Sequence, residues 1–246
     1  MPALAPILLA SGLVFLAAIV RGYSGFGFSL LAITSLSLIF SPAQIIPAIF
    51  MLEIAASLHM LPAIWRDVHW RSLAFLMAGT VIGTPLGVHF LASVPQAPMT
   101  LALAVFVLVA TLLLWRGFAL SAMPNGPATL AVGTATGIAN GAFGIGGPPV
   151  IVFYFASPAG HAVGRASLVA FFVLTDVTGL LFLAREGLVT RESGLMALAF
   201  LPALAAGVWL GSRIFASADP ERFRRIVLVI LAGLAVLTAA KAVLSF

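Results

Sequence analysis

Three stretches of this chain, residues 22–52, 72–115 and 117–164, contain no Asp, Glu, Lys or Arg. A chain that places no charge over such lengths cannot coat itself for water, so its solvent must be something else. Roughly 20 apolar residues cross the ~30 Å hydrocarbon core of a bilayer as one helix, and each stretch is too long for a single crossing. Composition agrees: 62% of residues are hydrophobic and 8% charged, against about 25% charged in ordinary soluble domains. A water-soluble enzyme is excluded. The sequence pI near 11.1 raises the question of nucleic acid. The excess charge is only +5, however, and the basic residues fall in short clusters with no aromatic–basic stripe to stack bases. No nucleic-acid partner is expected. The chain has no Cys, which removes disulfides and thiolate chemistry. His59, His69, His89 and His161 are scattered without metal-ligand spacing, so neither a metal nor another cofactor is expected.

Turn signals divide the apolar runs. Ser41-Pro42 closes the first. Helices are predicted over residues 43–64, 70–91, 98–115, 161–184, 190–215 and 220–246, with a further apolar segment over 129–156. Arg66-Asp67, Val94-Pro95, Arg116-Gly117, residues 123–127, Pro158-Ala159-Gly160 and Arg185-Glu186-Gly187 lie in the loops between them. The start of the chain lacks the positive region of a signal peptide. Trp65, Trp70 and Trp115 lie at span ends, where amphipathic rings prefer the headgroup level. Trp209 does not fit this pattern.

The sequence repeats itself. Gly22, Gly25 and Gly27 match Gly141, Gly144 and Gly146 at a constant offset of 119 residues, which also carries Arg66-Asp67 onto Arg185-Glu186. After a shift of five, Gly83 and Gly87 match Gly207 and Gly211. This order of signals predicts two homologous repeats, residues 1–119 and 128–246, joined by a linker over 120–127. Internal repeats of this size in a membrane chain are a transporter signature. The two G-x-x-x-G pairs are read as helix-packing positions.

Each repeat opens on a Gly-rich interruption: Arg21-Gly22-Tyr23-Ser24-Gly25-Phe26-Gly27-Phe28, then Asn140-Gly141-Ala142-Phe143-Gly144-Ile145-Gly146-Gly147-Pro148-Pro149. Glycine costs about 1 kcal/mol in a helix interior and proline about 3, so a continuous helix is not expected through either. Irregular backbone at bilayer depth is tolerated only where protein or a water-filled cavity covers it. The breaks should therefore face inward and toward each other. N–H groups at the following helix starts form a donor-rich, partly positive pocket suited to an anion. Gly25, Gly27, Gly144, Gly146 and Gly147 are the candidate backbone contacts, with Asn140 beside them and Arg21 adding a charged donor fork. In the alternative reading, the small residues only pack helices and Arg21 snorkels to an interface.

Two repeats that each open on such a break resemble the TauE/SafE family of anion transporters, the sulfite and sulfonate exporter family. The resemblance covers the layout of the whole chain. At residue level it rests on the two glycine runs, above all Gly141-x-x-Gly144-x-Gly146-Gly147-Pro148-Pro149, and on Ala166-Ser167. The first run departs from the second, with Phe28-Ser29 in place of the paired glycine and proline. The resemblance implies proton-linked or potential-driven movement of sulfur-containing or carboxylate anions, and a bacterial inner membrane.

Glu53 and Asp176 fall near the middle of predicted spans. A carboxylate at that depth costs several kcal/mol unless paired, protonated or hydrated, which makes both candidates for proton coupling. At offset 119 the counterpart of Asp176 is Ser57, one helical turn beyond Glu53. His59, Arg165, Gln44 and Tyr154 are weaker candidates. The arginines decide the topology. If each Gly-rich segment is a re-entrant hairpin, Arg66, Arg71, Arg116, Arg165, Arg213, Arg222, Arg224 and Arg225 share one side, opposite Arg185, Arg191 and Lys241; a single crossing gives no such bias. The positive-inside rule favours the hairpins. The expected protein is thus an all-α polytopic membrane protein of two inverted repeats, each a re-entrant segment plus three transmembrane helices, with both termini outside. Its expected function is secondary transport of a small organic or sulfur-containing anion with protons, by alternating access. A passive anion channel is the alternative, an enzyme is not expected, and the chain would be a monomer or homodimer in the lipid bilayer.

Overall fold

Apolar runs in lipid leave the backbone no partner but itself, so they become helices. The computed structural model describes residues 4–117, 122–156, 158, 160–214 and 220–244, which form ten α-helices and no strand. The first Gly-rich segment is α1 (Leu4–Ser24) and α2 (Phe28–Leu36), followed by α3 (Pro42–Ile64), α4 (Trp70–Ser93) and α5 (Gln96–Arg116). The second is α6 (Gly126–Phe143) and α7 (Gly147–Ala156), followed by α8 (His161–Arg185), α9 (Arg191–Ile214) and α10 (Pro220–Val243). Six of these, α1, α4, α5, α8, α9 and α10, are long and apolar enough to cross a membrane. The chain is a polytopic helical membrane protein. α6 begins earlier than predicted: Asn125 caps it, accepting from Ala128 N–H at 3.0 Å, with Pro127 in the first turn where no N–H is needed.

Burial follows lipid rather than water. Ile82, Leu86 and Phe90 of α4 point outward, while Gly79, Thr80, Gly83, Thr84 and Gly87 point inward. Lipid supplies no hydrophobic force between helices, so association depends on close approach of small residues. α4 and α6 run in the same sense with interleaved glycines. A Cβ on Gly79, Gly83 or Gly87 would strike the carbonyl oxygen of Leu130, Thr134 or Ile138. On Gly133, Gly137 or Gly141 it would strike that of Leu76, Thr80 or Thr84. α1 and α9 pair alike, with Gly207 against Phe15, Gly211 against Ile19 and Gly22 against Val208.

Gly22 and Gly141, expected to belong to the breaks, are therefore helical. Contact with a second backbone outweighs their helix propensity cost of about 1 kcal/mol each. Trp209 finds its reason as well: it is exposed near the end of α9, its ring centroid 5.0 Å from Arg213 Cζ. This is the pairing of aromatic and basic groups common at membrane interfaces.

Candidate functional site

Both Gly-rich segments break at their second and third glycines. Gly25 (φ +81°) and Gly27 (φ +87°) separate α1 from α2, while Gly144 (φ +67°) and Gly146 separate α6 from α7. Left-handed φ is cheap only without a Cβ. The turns close alike: Gly25 N–H donates to Arg21 C=O at 2.7 Å, and Gly144 N–H to Asn140 C=O at 2.8 Å. Gly147, Pro148 and Pro149 form the first turn of α7.

Arg21, in the last turn of α1, is 1% exposed. Its Nη1 donates to Glu53 Oε1 and its Nη2 to Ser57 Oγ, both on α3. Glu53 Oε2 accepts from Ser29 Oγ at 2.7 Å, in the first turn of α2. The Phe172 ring of α8 lies 5.6 Å from Arg21 Cζ, and Gly147 lies against the same ring. Asp176, one turn further along α8, is buried, and its Oδ2 has no hydrogen-bond partner; neither has Arg21 Nε. Asn140 Nδ2 donates to the C=O of Thr175, the residue before Asp176, at 3.5 Å. Its Oδ1 also accepts from Gly146 N–H at 3.1 Å, so one break amide is held by the protein itself.

Of the residues singled out from sequence, Arg21, Glu53, Asn140 and Asp176 meet in one buried cluster, and each break lies about one turn beyond Arg21 or Asn140. Sequence reasoning missed Ser29, Ser57 and Phe172 as members. A signal existed: Arg21 and Asn140, Glu53 and Phe172, and Ser57 and Asp176 are each 119 residues apart. Gln44 is elsewhere, its Oε1 accepting from Ser41 N–H at 3.2 Å in the cap of α3. Tyr154 OH pairs with Ser72 Oγ at 2.9 Å. The side chain of His59 lies outside the described residues. A cavity of about 560 Å³ between α3 and α9 is lined mainly by Met51, Leu52, Leu195, Leu198 and Leu201, with Arg191 also on its wall; none of the cluster residues lines it.

One arm of the Arg21 guanidinium and the Ser29 hydroxyl, in the first turn of α2, converge on one carboxylate. Such donors suit a carboxylate or another oxyanion. Comparison with known proteins shows the family. The sequence matches the sulfite exporter TauE/SafE family over residues 10–238. The chain belongs to the TauE/SafE family. Among relatives of this family, it is 24% identical over 217 residues to a probable sulfite/organosulfonate exporter TauE of Cupriavidus necator, covering 85% of this chain and 84% of the relative. No solved structure matches. As a member of the TauE/SafE family the chain is a multi-pass membrane protein of the transporter class, not an enzyme.

Proposed function

We propose that the chain is a proton-coupled carrier of sulfite or a small organosulfonate, built from two inverted repeats (residues 1–119 and 128–246) joined at 120–127. The observation that carries this reading is the Arg21–Glu53 pair at the first turn of α2. A sulfonate or sulfite presents pairs of oxygens to the same Arg21 fork, with Ser29 and Ser57 as neighbouring hydroxyls and Gly25, Gly27, Gly144, Gly146 and Gly147 as close backbone. Arg21, Glu53 and Asp176 already place two carboxyls around one guanidinium. A further anion in a low-dielectric site is strongly disfavoured unless a proton neutralises one of them. Proton and anion therefore bind together. Asn140 positions the second break rather than carrying charge.

Each α1–α2 and α6–α7 pair is read as a re-entrant hairpin. In support, Val68, Leu73, Tyr154 and Ala166 form one cluster with Leu114 packed against it. On this reading Arg66, Arg71 and Arg116, at the α3–α4 connection and the end of α5, lie at the same end as Arg165. Lys241 Nζ donates to Ser37 C=O at 3.2 Å and Leu38 C=O at 3.0 Å, so α10 ends beside the end of α2. Each hairpin packs on a helix of the other repeat, α1 on α9 and α6 on α4. Rocking of these two groups along α3 and α8 supplies alternating access.

Purified protein in proteoliposomes should take up sulfite or methanesulfonate saturably, with counterflow on preloading and proton uptake alongside. Flux without saturation or counterflow would make it a channel. Glu53→Gln is expected to keep anion binding while losing proton movement, and Asp176→Asn to shift the pH dependence. If both variants keep the wild-type pH profile and proton flux, neither carboxyl is the coupling group. Topology is testable on the native chain, which has no Cys: Asp67→Cys and Glu186→Cys should label with an impermeant maleimide from opposite faces. Labelling from one face would mean parallel repeats.

A further inference from the structure

The two breaks are alike in backbone but not in what covers them. At the first, a Cβ on Gly25 would lie 3.1 Å from Nε of Arg165, 3.7 Å from its Cγ and 3.8 Å from its Cδ. The arginine thus runs directly over the turn. At the second, a Cβ on Gly144 would meet Ile46, 3.0 Å from Cγ1 and 3.1 Å from Cγ2. Gly25 and Gly144 are 119 residues apart, and so are Ile46 and Arg165. One geometry therefore holds a cation over one break and a branched alkyl group over the other. Ile46 is buried, and Ile33 also lies against Gly144, whereas Arg165 is partly exposed. Arg165 also lies toward one face. Two residues on, Ser167 Oγ accepts from His69 N–H at 2.9 Å, tying the start of α8 to the α3–α4 connection, between Arg66 and Arg71.

We propose that Arg165 is a second anion-binding residue, which receives the oxyanion from the Arg66/Arg71 face at the first break before it reaches Arg21. The inference rests on the transport reading above. Two anion positions separated by one turn of α1 give the substrate a place to wait while Glu53 takes its proton. The second break has no counterpart, since Ile46 and Ile33 cover it with apolar surface. The site is thus approached as an anion site from one side only.

The test is sided transport of methanesulfonate in proteoliposomes, with protein of one orientation selected by an impermeant blocker. Arg165→Gln is expected to raise KM about tenfold for substrate presented at the Arg66/Arg71 face, the size of one lost charge-assisted contact. The KM from the opposite face should stay near wild type, with the matching loss there falling on the maximal rate, because the substitution cannot alter the overall equilibrium. Arg165→Lys, which keeps the charge without the fork, should recover part of the loss. A merely structural role would lower the rate from both faces without this split. For wild type, KM at the Arg66/Arg71 face should rise with ionic strength more than KM at the other; this holds the inference to account even if Arg165→Gln fails to fold. Equal salt dependence at both faces, or an unchanged KM in a folded Arg165→Gln, overturns it alone. A wild type that moves neither sulfite nor methanesulfonate overturns the transport reading and this inference together.

Discussion

Arg21→Met is expected to abolish transport and to destabilise the protein by about 3–5 kcal/mol, the usual cost of leaving one partner of a buried ion pair uncompensated. Glu53 is 3% exposed, and without Arg21 its carboxylate keeps, among the described residues, the Ser29 hydroxyl. The double variant Arg21→Met/Glu53→Leu removes both charges. It should recover most of the stability, because a well-packed apolar pair is often as good as a buried salt bridge. It should not recover transport, because no fork is left to hold an oxyanion. The measurement is a double-mutant cycle on thermal stability in detergent, run beside sulfite uptake. Two results would count against the site. A double variant as unstable as Arg21→Met would show that the pair is not the source of the loss, and normal uptake by Arg21→Met would remove Arg21 from the anion path.

Leucine at Gly83 or Gly137 is expected to be among the worst tolerated apolar substitutions in the chain. The side chain would have to occupy space held by the carbonyl oxygen of Thr134 or Thr80. Main chain cannot swing aside as a side chain does, so α4 and α6 must separate along their whole seam. The cost should lie at or beyond the upper end of the about 1–3 kcal/mol typical of overpacking. An internal control is built into three other helices: at Gly12 of α1, Gly194 of α9 and Gly233 of α10 an added Cβ meets nothing within 4 Å. Alanine there should be neutral or stabilising by up to about 1 kcal/mol, through helix propensity and a less free unfolded chain. Thermal melts and gel filtration of the two groups of variants decide it. Equal tolerance in both would mean that α4 and α6 are not in backbone contact.

The helices were legible because their determinants are local. An 18- to 25-residue apolar run with a Pro, Gly or charged loop at each end leaves lipid little choice. The breaks at Gly25–Gly27 and Gly144–Gly146 were legible for the same reason, through glycines in series and the prolines after the second. The reading of Gly22 and Gly141 as break residues failed because propensity is a property of one helix. Those two glycines answer to a second helix, α9 or α4, far away in sequence. The same limit hid the partners of the G-x-x-x-G pairs. Gly83 and Gly87 were recognisable as packing positions, but nothing local said that α6 would receive them.

By itself the sequence determined the solvent, the helices, the places where two of them must break, and the charges that lipid would not tolerate unpaired. These follow from transfer free energies and backbone hydrogen bonding, which act over a few residues at a time. Only the tertiary structure decided what those charges do. It brought Arg21 against Glu53 and Ser57 on α3, turned Ser29 toward the same carboxylate, set Phe172 and Asp176 opposite from α8, and placed Arg165 over one break and Ile46 over the other. Electrostatic pairing depends on distance in space, and helix packing, not sequence separation, sets that distance. A bare arginine beside a glycine run therefore became an arginine already holding an anion.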